Sequence, residues 1–216
     1  MNKYRSQEGQ DKWVVTMLQG KKNGYFVDIG ASNGIKHSNT YILEKNYNWN
    51  GICVEPHTKS FAELVQNRNC IHENVCVFNV CTEVDFVERG RLKTHSGIYC
   101  DEADDKVIYQ VINRNHPLIK KQAITLLELL NKHKSPQLID YLSIDVEGSQ
   151  WLILKDFNFK KYRFLLITVE HNCPQNPTSI KYLKRRENIH NYLMQHGYYL
   201  NQSTNHEDWF ADKTIA

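Results

Sequence analysis

The sequence lacks the features that mark membrane-spanning proteins, exported proteins and proteins stabilised by a structural metal ion. No apolar run approaches the ~20 residues of a transmembrane helix, and the N-terminal residues include no apolar segment of the kind found in signal peptides. The six cysteines form no C-x-x-C pair and no zinc-ligand spacing. Free cysteines in apolar runs behave as small core residues. We therefore predict a reducing, cytoplasmic setting and no membrane insertion.

The sequence also has no internal repeat, no low-complexity tract and no Pro/Gly/Ser-rich linker. We interpret its 216 residues as one domain over residues 1–216, complete or excised from a longer protein. A chain of this length can bury a hydrophobic core without disulfide bonds or a structural metal ion. A net charge of +3 is too small to indicate nucleic acid as a partner. The oligomeric state stays open. One basic cluster is interpreted as a solvated helix face or, alternatively, a contact for an anionic acceptor: Lys181, Lys184, Arg185 and Arg186.

What is present is an alternation of buried-strand and amphipathic-helix patterns. The predicted strands are 25–29, 51–55, 70–77, 84–87, 96–99, 138–144, 164–169, 198–200 and 209–211, with 84–87 and 96–99 as a hairpin turning at Gly90. The predicted helices are 6–20, 39–47, 60–68, 125–133, a short one around 151–154, and 179–196, while 101–120 is expected to be a surface loop with one helical turn. Continuous apolar strands that alternate with helices predict an α/β fold with a mostly parallel sheet covered on both faces.

The first predicted strand ends in a distinctive turn over residues 25–34. Asp28 precedes two glycines, Gly30 and Gly34, in the spacing D-x-G-x-x-x-G rather than G-x-G-x-x-G. A dinucleotide fold places a pyrophosphate at such a turn, and a carboxylate at position 28 would repel that group. A ligand without phosphate and with positive charge fits better, and S-adenosylmethionine is such a ligand. The alternative is a strand turn with an incidental acid.

Acidic residues also follow three other predicted strands, and right-handed crossovers would bring all these strand ends to one rim. Glu55 lies 21 residues after Gly34, the distance at which doubly wound folds place an acid on ribose hydroxyls. Its alternative is a solvated carboxylate. Glu73 and Asn74 could meet the adenine edge. The full set of strand-end groups is Asp28, Glu55, Asp145 with Glu147, and Glu170 with His171.

Two roles stay open for Asp145 and Glu147. Residues two apart in extended backbone face the same side, so the pair could act as general base on a hydroxyl or hold Mg²⁺ or Mn²⁺ to lower the hydroxyl's pKa. Otherwise, Asp145 only orients a cofactor and Glu147 caps the next helix. His171 could accept a proton, or join Asp145 and Glu170 as a metal ligand, or be structural.

These residues together resemble the FkbM family of S-adenosylmethionine-dependent methyltransferases. The matching stretches run in order along the chain: residues 6–11, 26–34, 38–41, 51–56, 125–130, 140–148 and 169–170. The resemblance implies a Rossmann-like methyltransferase fold with a seven-stranded sheet whose last strand is antiparallel. It also implies that Asp28, Gly30 and Glu55 bind the donor. The chain departs mildly from the family pattern at Ser149–Gln150, and residues 88–120 match poorly, so acceptor specificity is expected there.

The predicted activity is S-adenosylmethionine-dependent O-methylation of a sugar hydroxyl in a glycan or glycoconjugate. A nicotinamide-dependent oxidoreductase and a catalytically inactive binding module are the alternatives. The predicted catalytic residues are Asp145, Glu147, Glu170 and His171, and the predicted metal ligands are Asp145, Glu170 and His171. The predicted donor-binding residues are Gln10, Asp28, Gly30, Ala31, Ser32, Gly34, Asn39, Glu55, Pro56, Glu73, Asn74 and Asp145.

Overall fold

The structure is a computed structural model that describes residues 4–89, 96–100, 116–173 and 180–215. Its strands are β1 Tyr25–Ile29, β2 Asn50–Val54, β3 Ile71–Glu73, β4 Cys76–Phe78, β5 Glu83–Val87, β6 Gly97–Ile98, β7 Leu118–Thr125, β8 Leu138–Ile144, β9 Arg163–Glu170, β10 Tyr198–Ser203 and β11 Glu207–Asp212. Its helices are α1 Gln10–Met17, α2 Tyr41–Tyr47, α3 Thr58–Asn67, α4 Leu126–Lys132, α5 Gln150–Leu154 and α6 Ile180–Gln195, and a short 3₁₀ turn spans Lys213–Ile215.

The main sheet has seven strands in the order β10-β11-β9-β8-β1-β2-β3. Pairing is parallel from β3 across to β9, whereas β11 runs antiparallel to both β9 and β10. The predicted α/β class is confirmed. The sheet as a whole is mixed, so the predicted mostly parallel arrangement is confirmed only for the portion β3-β2-β1-β8-β9.

Helices cover both faces of the main sheet because the strands are apolar on both faces. Val27 and Ile29 of β1 point into a core that includes buried residues of α4, α5 and α6. Phe26, their neighbour on the opposite face, packs with buried residues of α1, α2 and α3. This alternation is the period-2 pattern of a strand that is buried on both sides.

A second sheet of four strands, in the order β4-β7-β5-β6, lies beside the main one. The predicted 84–87/96–99 hairpin is confirmed, with Phe86 opposite Ile98, whereas its proposed turn at Gly90 lies outside the described residues. The single strand predicted for 70–77 is wrong, because the chain changes sheets between β3 and β4. Residues 118–120 form part of β7 rather than a loop, and 101–115 lie outside the described residues.

Helix boundaries follow the local capping chemistry. Thr125 caps α4 as predicted, since its side chain accepts a hydrogen bond from the Glu128 amide. The start predicted at Ser60 is wrong, because His57 is the N-cap of α3 and its Nδ1 accepts from the Ser60 amide at 3.2 Å. Among the residues that the structure describes, no helix combines the length and the apolar character that crossing a membrane would require.

Candidate functional site

The carboxyl ends of β1, β2 and β8 meet at the point where the strand order reverses. Ile29 is paired with Val54 of β2 on one side and with Ile144 of β8 on the other. From β1 the chain continues to β2 and β3 on one side of the sheet, and from β8 it continues to β9 on the other side. The two connections diverge at this point and leave a crevice above the sheet. Such switch points are where open α/β sheets bind ligands.

The turn after β1 is tied to both neighbouring strands. The amides of Gly30 and Ala31 donate to the Val54 carbonyl at 2.9 and 3.0 Å, and the Asp145 amide donates to the Ile29 carbonyl at 2.9 Å. Gly30 has a φ of 91° and Ser32 a φ of 49°, so the turn uses the left-handed region that glycine adopts at least cost. These bonds fix the three strand ends relative to one another.

A pocket opens directly above these strand ends. It encloses about 720 Å³ of empty space, a volume that includes its open mouth. The main sheet and its loops contribute Ile29, Gly30, Ser32, Val54, Glu55, Pro56, Asp145, Val146, Glu147 and Ser149. The second sheet and the segments beside it contribute Val75, Cys76, Val77, Phe86, Ser96, Gly97 and Ile98. The pocket therefore has one polar wall and one mainly apolar wall.

Glu55 is the carboxylate best prepared to bind a diol. Its Oε2 accepts from the Ser32 amide and its Oε1 from the His57 amide, both at 2.7 Å. Each carboxylate oxygen has a second lone pair available for a ligand hydroxyl. Burial, with a further contribution from Asp145 and Asp28, raises the Glu55 pKa to about 7 even though the two amide bonds lower it. The carboxylate is thus fixed in place and poorly solvated.

Asp28 lies behind the pocket and does not line it. Its side chain is 4% exposed, and its Oδ2 accepts a hydrogen bond from the Thr40 hydroxyl at 2.6 Å. Burial raises its pKa, against the opposing effects of Thr40 and of the Arg68 charge. The carboxylate predicted to touch the methyl donor is therefore engaged within the protein, and its direct contact with a ligand stays a prediction.

The predicted donor-binding residues divide into two groups. Those that line the pocket are Gly30, Ser32, Glu55, Pro56 and Asp145. Those that lie outside its lining are Gln10, Asp28, Ala31, Gly34, Asn39, Glu73 and Asn74. Glu73 instead accepts from Lys132 and His133 of the α4 region, each at 2.6 Å. The Asn74 amide group donates to the carbonyls of Glu55 and Pro56 at 2.8 and 3.2 Å, so it supports the segment after β2.

The predicted catalytic residues divide in the same way. Asp145 and Glu147 line the pocket, and Glu147 has a φ of 54°, a conformation that strains a non-glycine residue and is often found at functional sites. Glu170 and His171 do not line it. Glu170 accepts from the Gln150 side-chain amide at 3.3 Å. Of the four predicted catalytic residues, the two acids that follow β8 therefore line the pocket.

His171 is poorly placed to act as a base. It is 2% exposed, and its Nδ1 accepts from the Cys173 amide at 2.9 Å, while its Nε2 lies 3.8 Å from Asp208. Burial lowers its pKa to about 4 in spite of Asp208. The Nδ1 atom is occupied by the Cys173 amide, and the Nε2 atom is buried and, among the residues that the structure describes, makes no hydrogen bond. The ring is therefore enclosed within the protein and does not line the pocket.

Within the described part of the chain, no three His, Cys, Asp or Glu side chains are grouped as a metal site requires. The predicted metal ligands illustrate why. Asp145 lies in the pocket wall, whereas Glu170 is bonded to Gln150 and the His171 Nδ1 is occupied by a backbone amide. The predicted Mg²⁺ or Mn²⁺ site at Asp145, Glu170 and His171 therefore receives no support from the geometry.

Several residues of the site region were not predicted from the sequence. Arg185, assigned to a solvated basic face, is 1% exposed and donates to the carbonyls of Gly148 and His171, each at 3.0 Å. Burial, with Asp145 as the next contributor, raises the Glu207 pKa to about 8, and Glu207 lies opposite Glu170 in the sheet. Arg68 is buried beside the turn after β1. No spacing pattern distinguishes these residues from surface charges.

Comparison with known proteins bears on the same region. The family model described as "Methyltransferase FkbM domain" matches residues 28–199. No curated protein matches the chain. Among solved structures, a methyltransferase FkbM from Methylobacillus flagellatus aligns with a TM-score of 0.50 and 12% identity, over 88% of this chain and 44% of that one. This chain thus spans less than half the length of that protein, and at such identity the likeness shows the fold alone.

Two further solved structures are similar at lower scores. Precorrin-6y C5,15-methyltransferase from Geobacter metallireducens has a TM-score of 0.46 and 12% identity, covering 98% of this chain and 94% of that one. The N-terminal domain of human METTL16 in complex with SAH has a TM-score of 0.43 and 13% identity, covering 94% of this chain and 68% of that one.

Proposed function

Because the chain belongs to the FkbM methyltransferase family, we propose that it is an S-adenosylmethionine-dependent O-methyltransferase that acts on a hydroxyl group of a sugar in a glycan or glycoconjugate. The observation that carries the proposal is the pocket at the switch point, with Glu55 fixed at one end and Asp145 and Glu147 in its wall. The family membership argues against the nicotinamide-dependent oxidoreductase.

The residues at this rim fit the donor. The Glu55 carboxylate, held by two backbone amides, has free lone pairs to accept both hydroxyls of a ribose. Val75, Phe86 and Ile98 provide an apolar wall against which a purine ring can pack. Polar anchors set in a largely apolar pocket are typical of cofactor sites. When bound, the donor supplies a methyl group on a positively charged sulfonium.

The acceptor hydroxyl needs a proton acceptor, because a sugar hydroxyl is far too weak an acid to ionise near neutral pH. Asp145 and Glu147 are the two carboxylates in the pocket wall, and we assign the proton-accepting role to Asp145. Asp145 directly follows β8, and its backbone amide donates to the carbonyl of Ile29, the residue just before the glycine turn. General base catalysis typically contributes about 10²–10⁴-fold in rate.

The rest of the acceleration comes from alignment. Displacement at the methyl carbon, in which the O–C bond forms and the C–S bond breaks, requires the attacking oxygen, the methyl carbon and the sulfur to lie in line. Fixed positioning of reactants can supply several kcal/mol, about 7–11 in favourable cases. The backbone bonds that join β1, β2 and β8 give the rigidity that such alignment needs. Hydroxyl-rich acceptors suit a wall with two carboxylates, because each carboxylate oxygen can accept from sugar hydroxyls.

The test has a binding step and a turnover step. Isothermal titration with S-adenosylhomocysteine and with NAD distinguishes the two cofactor classes; binding of NAD in preference to S-adenosylhomocysteine would contradict the proposal. The protein is then incubated with methyl-labelled donor and a panel of free and lipid-linked or protein-linked glycans. Label recovered in an O-methyl sugar supports the proposed acceptor, whereas transfer to nucleic acid or to a protein side chain would overturn it. Donor binding without any turnover would favour the inactive binding module.

A further inference from the structure

Arg68 is a buried arginine whose guanidinium holds the loop after β1 from within. It is 2% exposed. Its Nε donates to Glu44 at 2.7 Å, and its Nη1 donates to the Gly34 carbonyl at 3.2 Å. The planar guanidinium also lies over the Phe26 ring, 5.4 Å from the centroid. The Glu44 charge compensates part of the cost of burying the guanidinium, and the remaining N–H groups serve the loop.

Besides Gly34, Arg68 binds the two neighbours of Asn39. Nη1 donates to the Ser38 hydroxyl at 3.3 Å, and Nη2 donates to the Thr40 hydroxyl at 3.0 Å. A single rigid guanidinium therefore fixes the residues on both sides of Asn39. Gly34 makes this approach possible, because a Cβ atom there would lie 2.7 Å from the Cγ atom of Arg68.

Asn39 has one satisfied and one unsatisfied polar atom. Its Nδ2 donates to the Ser143 hydroxyl at 2.9 Å. Its Oδ1 is buried and, among the residues that the structure describes, receives no hydrogen bond. Asn39 as a whole is 8% exposed. A buried carbonyl oxygen without a donor costs free energy, and a ligand that brings a donor removes that cost.

The position of Asn39 indicates what kind of donor this ligand carries. Ser143 of β8 lies opposite Asp28 of β1, so Asn39 stands at the switch point between these strands. Thr40 joins the network to Asp28, since its hydroxyl donates to Asp28 at 2.6 Å. An amide oxygen accepts from an ammonium N–H, and the buried Asp28 carboxyl group in the same network offsets the charge of Arg68, so the ammonium of an amino acid is a suitable donor.

We propose that Asn39 Oδ1 accepts a hydrogen bond from the ammonium group at the amino-acid end of the methyl donor, and that Arg68 is the positioning residue that holds Asn39 there through Ser38 and Thr40. The inference rests on the proposed use of an S-adenosylmethionine donor. It assigns a contact that the pocket lining does not include and gives the buried arginine a function in binding.

Three ligands that differ only at the amino-acid end test the proposal. S-Adenosylhomocysteine has both ammonium and carboxylate, S-adenosyl-3-thiopropylamine keeps the amine alone, and 5′-methylthioadenosine has neither. Isothermal titration of Asn39→Ala should show that the affinity for each of the first two ligands falls by about tenfold or more, the effect expected for losing a hydrogen bond to a charged group. Its affinity for 5′-methylthioadenosine should stay within about twofold of wild type.

Arg68 and Thr40 variants test the positioning role with the same ligands. Arg68→Lys loses the fork that binds both neighbours of Asn39, so we expect an affinity loss of about three- to tenfold for the two amine-bearing ligands only. Because Arg68 is deeply buried, Thr40→Val offers a second variant that breaks the link to Asp28, and Thr40→Ser should restore binding. Arg163→Lys is the matched control. Arg163 also binds a carboxylate and backbone carbonyls, but it lies at the first residue of β9, at the end of the sheet away from the pocket.

The outcomes separate this inference from the proposed function. If Asn39→Ala weakens all three ligands equally, or none of them, the ammonium contact is wrong while donor binding by wild type still stands. If Arg68→Lys and Thr40→Val weaken 5′-methylthioadenosine as much as S-adenosylhomocysteine, Arg68 supports the fold and not the contact. If wild type binds none of the three ligands, the proposed function fails, and this inference fails with it.

Discussion

The backbone carbonyl oxygen of Asp145 occupies the place where a side chain on Gly30 would begin. A Cβ atom built on Gly30 would lie 1.8 Å from that oxygen, with the Asp145 carbonyl carbon 2.9 Å away. The Asp145 backbone leaves no space for a Cβ atom at this position, and the φ of 91° is one that residues other than glycine rarely adopt. Only glycine therefore fits. The close approach brings the end of β8, and with it the proposed base, against the turn proposed to hold the donor.

We expect Gly30→Ala to remove both activity and much of the stability. The clash forces β1 and β8 apart, and overpacking of this kind costs about 1–3 kcal/mol, added to about 1–2 kcal/mol for the left-handed backbone. Chemical denaturation measures the loss. Gly9→Ala is the matched control, because Gly9 has a φ of 96° and nothing within 4 Å of its Cβ position. A Gly30→Ala protein as stable as Gly9→Ala would contradict the packing argument.

Glu55→Gln should weaken donor binding by about tenfold, the effect of losing a charged acceptor for ribose hydroxyls. Isothermal titration with 5′-methylthioadenosine isolates this effect, since that ligand keeps the ribose and lacks the amino-acid end. In wild type, binding should strengthen as pH rises from 6 to 8, because the Glu55 pKa lies at about 7 and the ionised form is the better acceptor. A flat pH profile for wild type would argue against the ribose contact.

The same variant should change the pH dependence of stability. Burial raises the folded-state pKa of Glu55 from 4.5 to about 7, so between these values the folded protein holds a proton that the unfolded chain has released. The contribution of Glu55 to the free energy of unfolding therefore falls as pH rises through this window. Relative to wild type, Glu55→Gln should gain stability between pH 5 and pH 8, measured by urea unfolding at each pH. A constant difference would place the Glu55 pKa outside the window.

Asp145→Asn should lower kcat by about 10²-fold or more while S-adenosylhomocysteine binding changes by less than about threefold. The asparagine side chain has the same size as the aspartate side chain, and the backbone amide at position 145 can still donate to the Ile29 carbonyl. Glu147→Gln is the comparison, because Glu147 lines the same pocket. If Glu147→Gln lowers kcat and Asp145→Asn does not, the two roles are reversed. Unchanged turnover in both variants would remove general base catalysis by this pair.

Exhaustive chelation should leave methyl transfer unchanged. The side chains that the sequence predicts as metal ligands are not grouped: Asp145 faces the pocket, whereas the His171 Nδ1 accepts from the Cys173 amide. Activity is compared before and after dialysis against EDTA, and after addition of Mg²⁺ or Mn²⁺. Loss on chelation with recovery on addition of either ion would restore the metal-assisted mechanism and would require a rearrangement around β9.

The sequence predicted the central strands of the main sheet, β1, β2, β8 and β9, well because they are buried on both faces and read as apolar runs. The boundaries of β8 were predicted correctly. Glu55 and Asp145 directly follow β2 and β8, whereas Asp28 lies within β1. The strand ends determine which polar groups reach the rim. Strand ends could therefore be located from local pattern alone.

The second sheet and the buried arginines could not be predicted in this way. The strand β7 carries Lys120 and Lys121, and its first half alternates between exposed and half-buried residues, so it has no apolar run. Its pairing with β4 and β5 depends on contacts distant in sequence. Arg68 ends a helix in a position that usually faces solvent. Its burial depends on Glu44, which approaches from a different helix, and no local pattern records that partnership.

The division of the pocket between two sheets bears on how such a protein can diversify. Phe86 and Ile98 pair with each other in the second sheet, which has its own hydrogen-bonded ladder, separate from the one that ends at Gly30 and Glu55. We propose that the purine ring of the donor packs on this wall, so substitutions there would change purine packing while Glu55 keeps the two backbone amides that anchor it. A combinatorial library confined to the second sheet is therefore a rational way to vary the fit of the purine part of the donor without altering the ribose anchor.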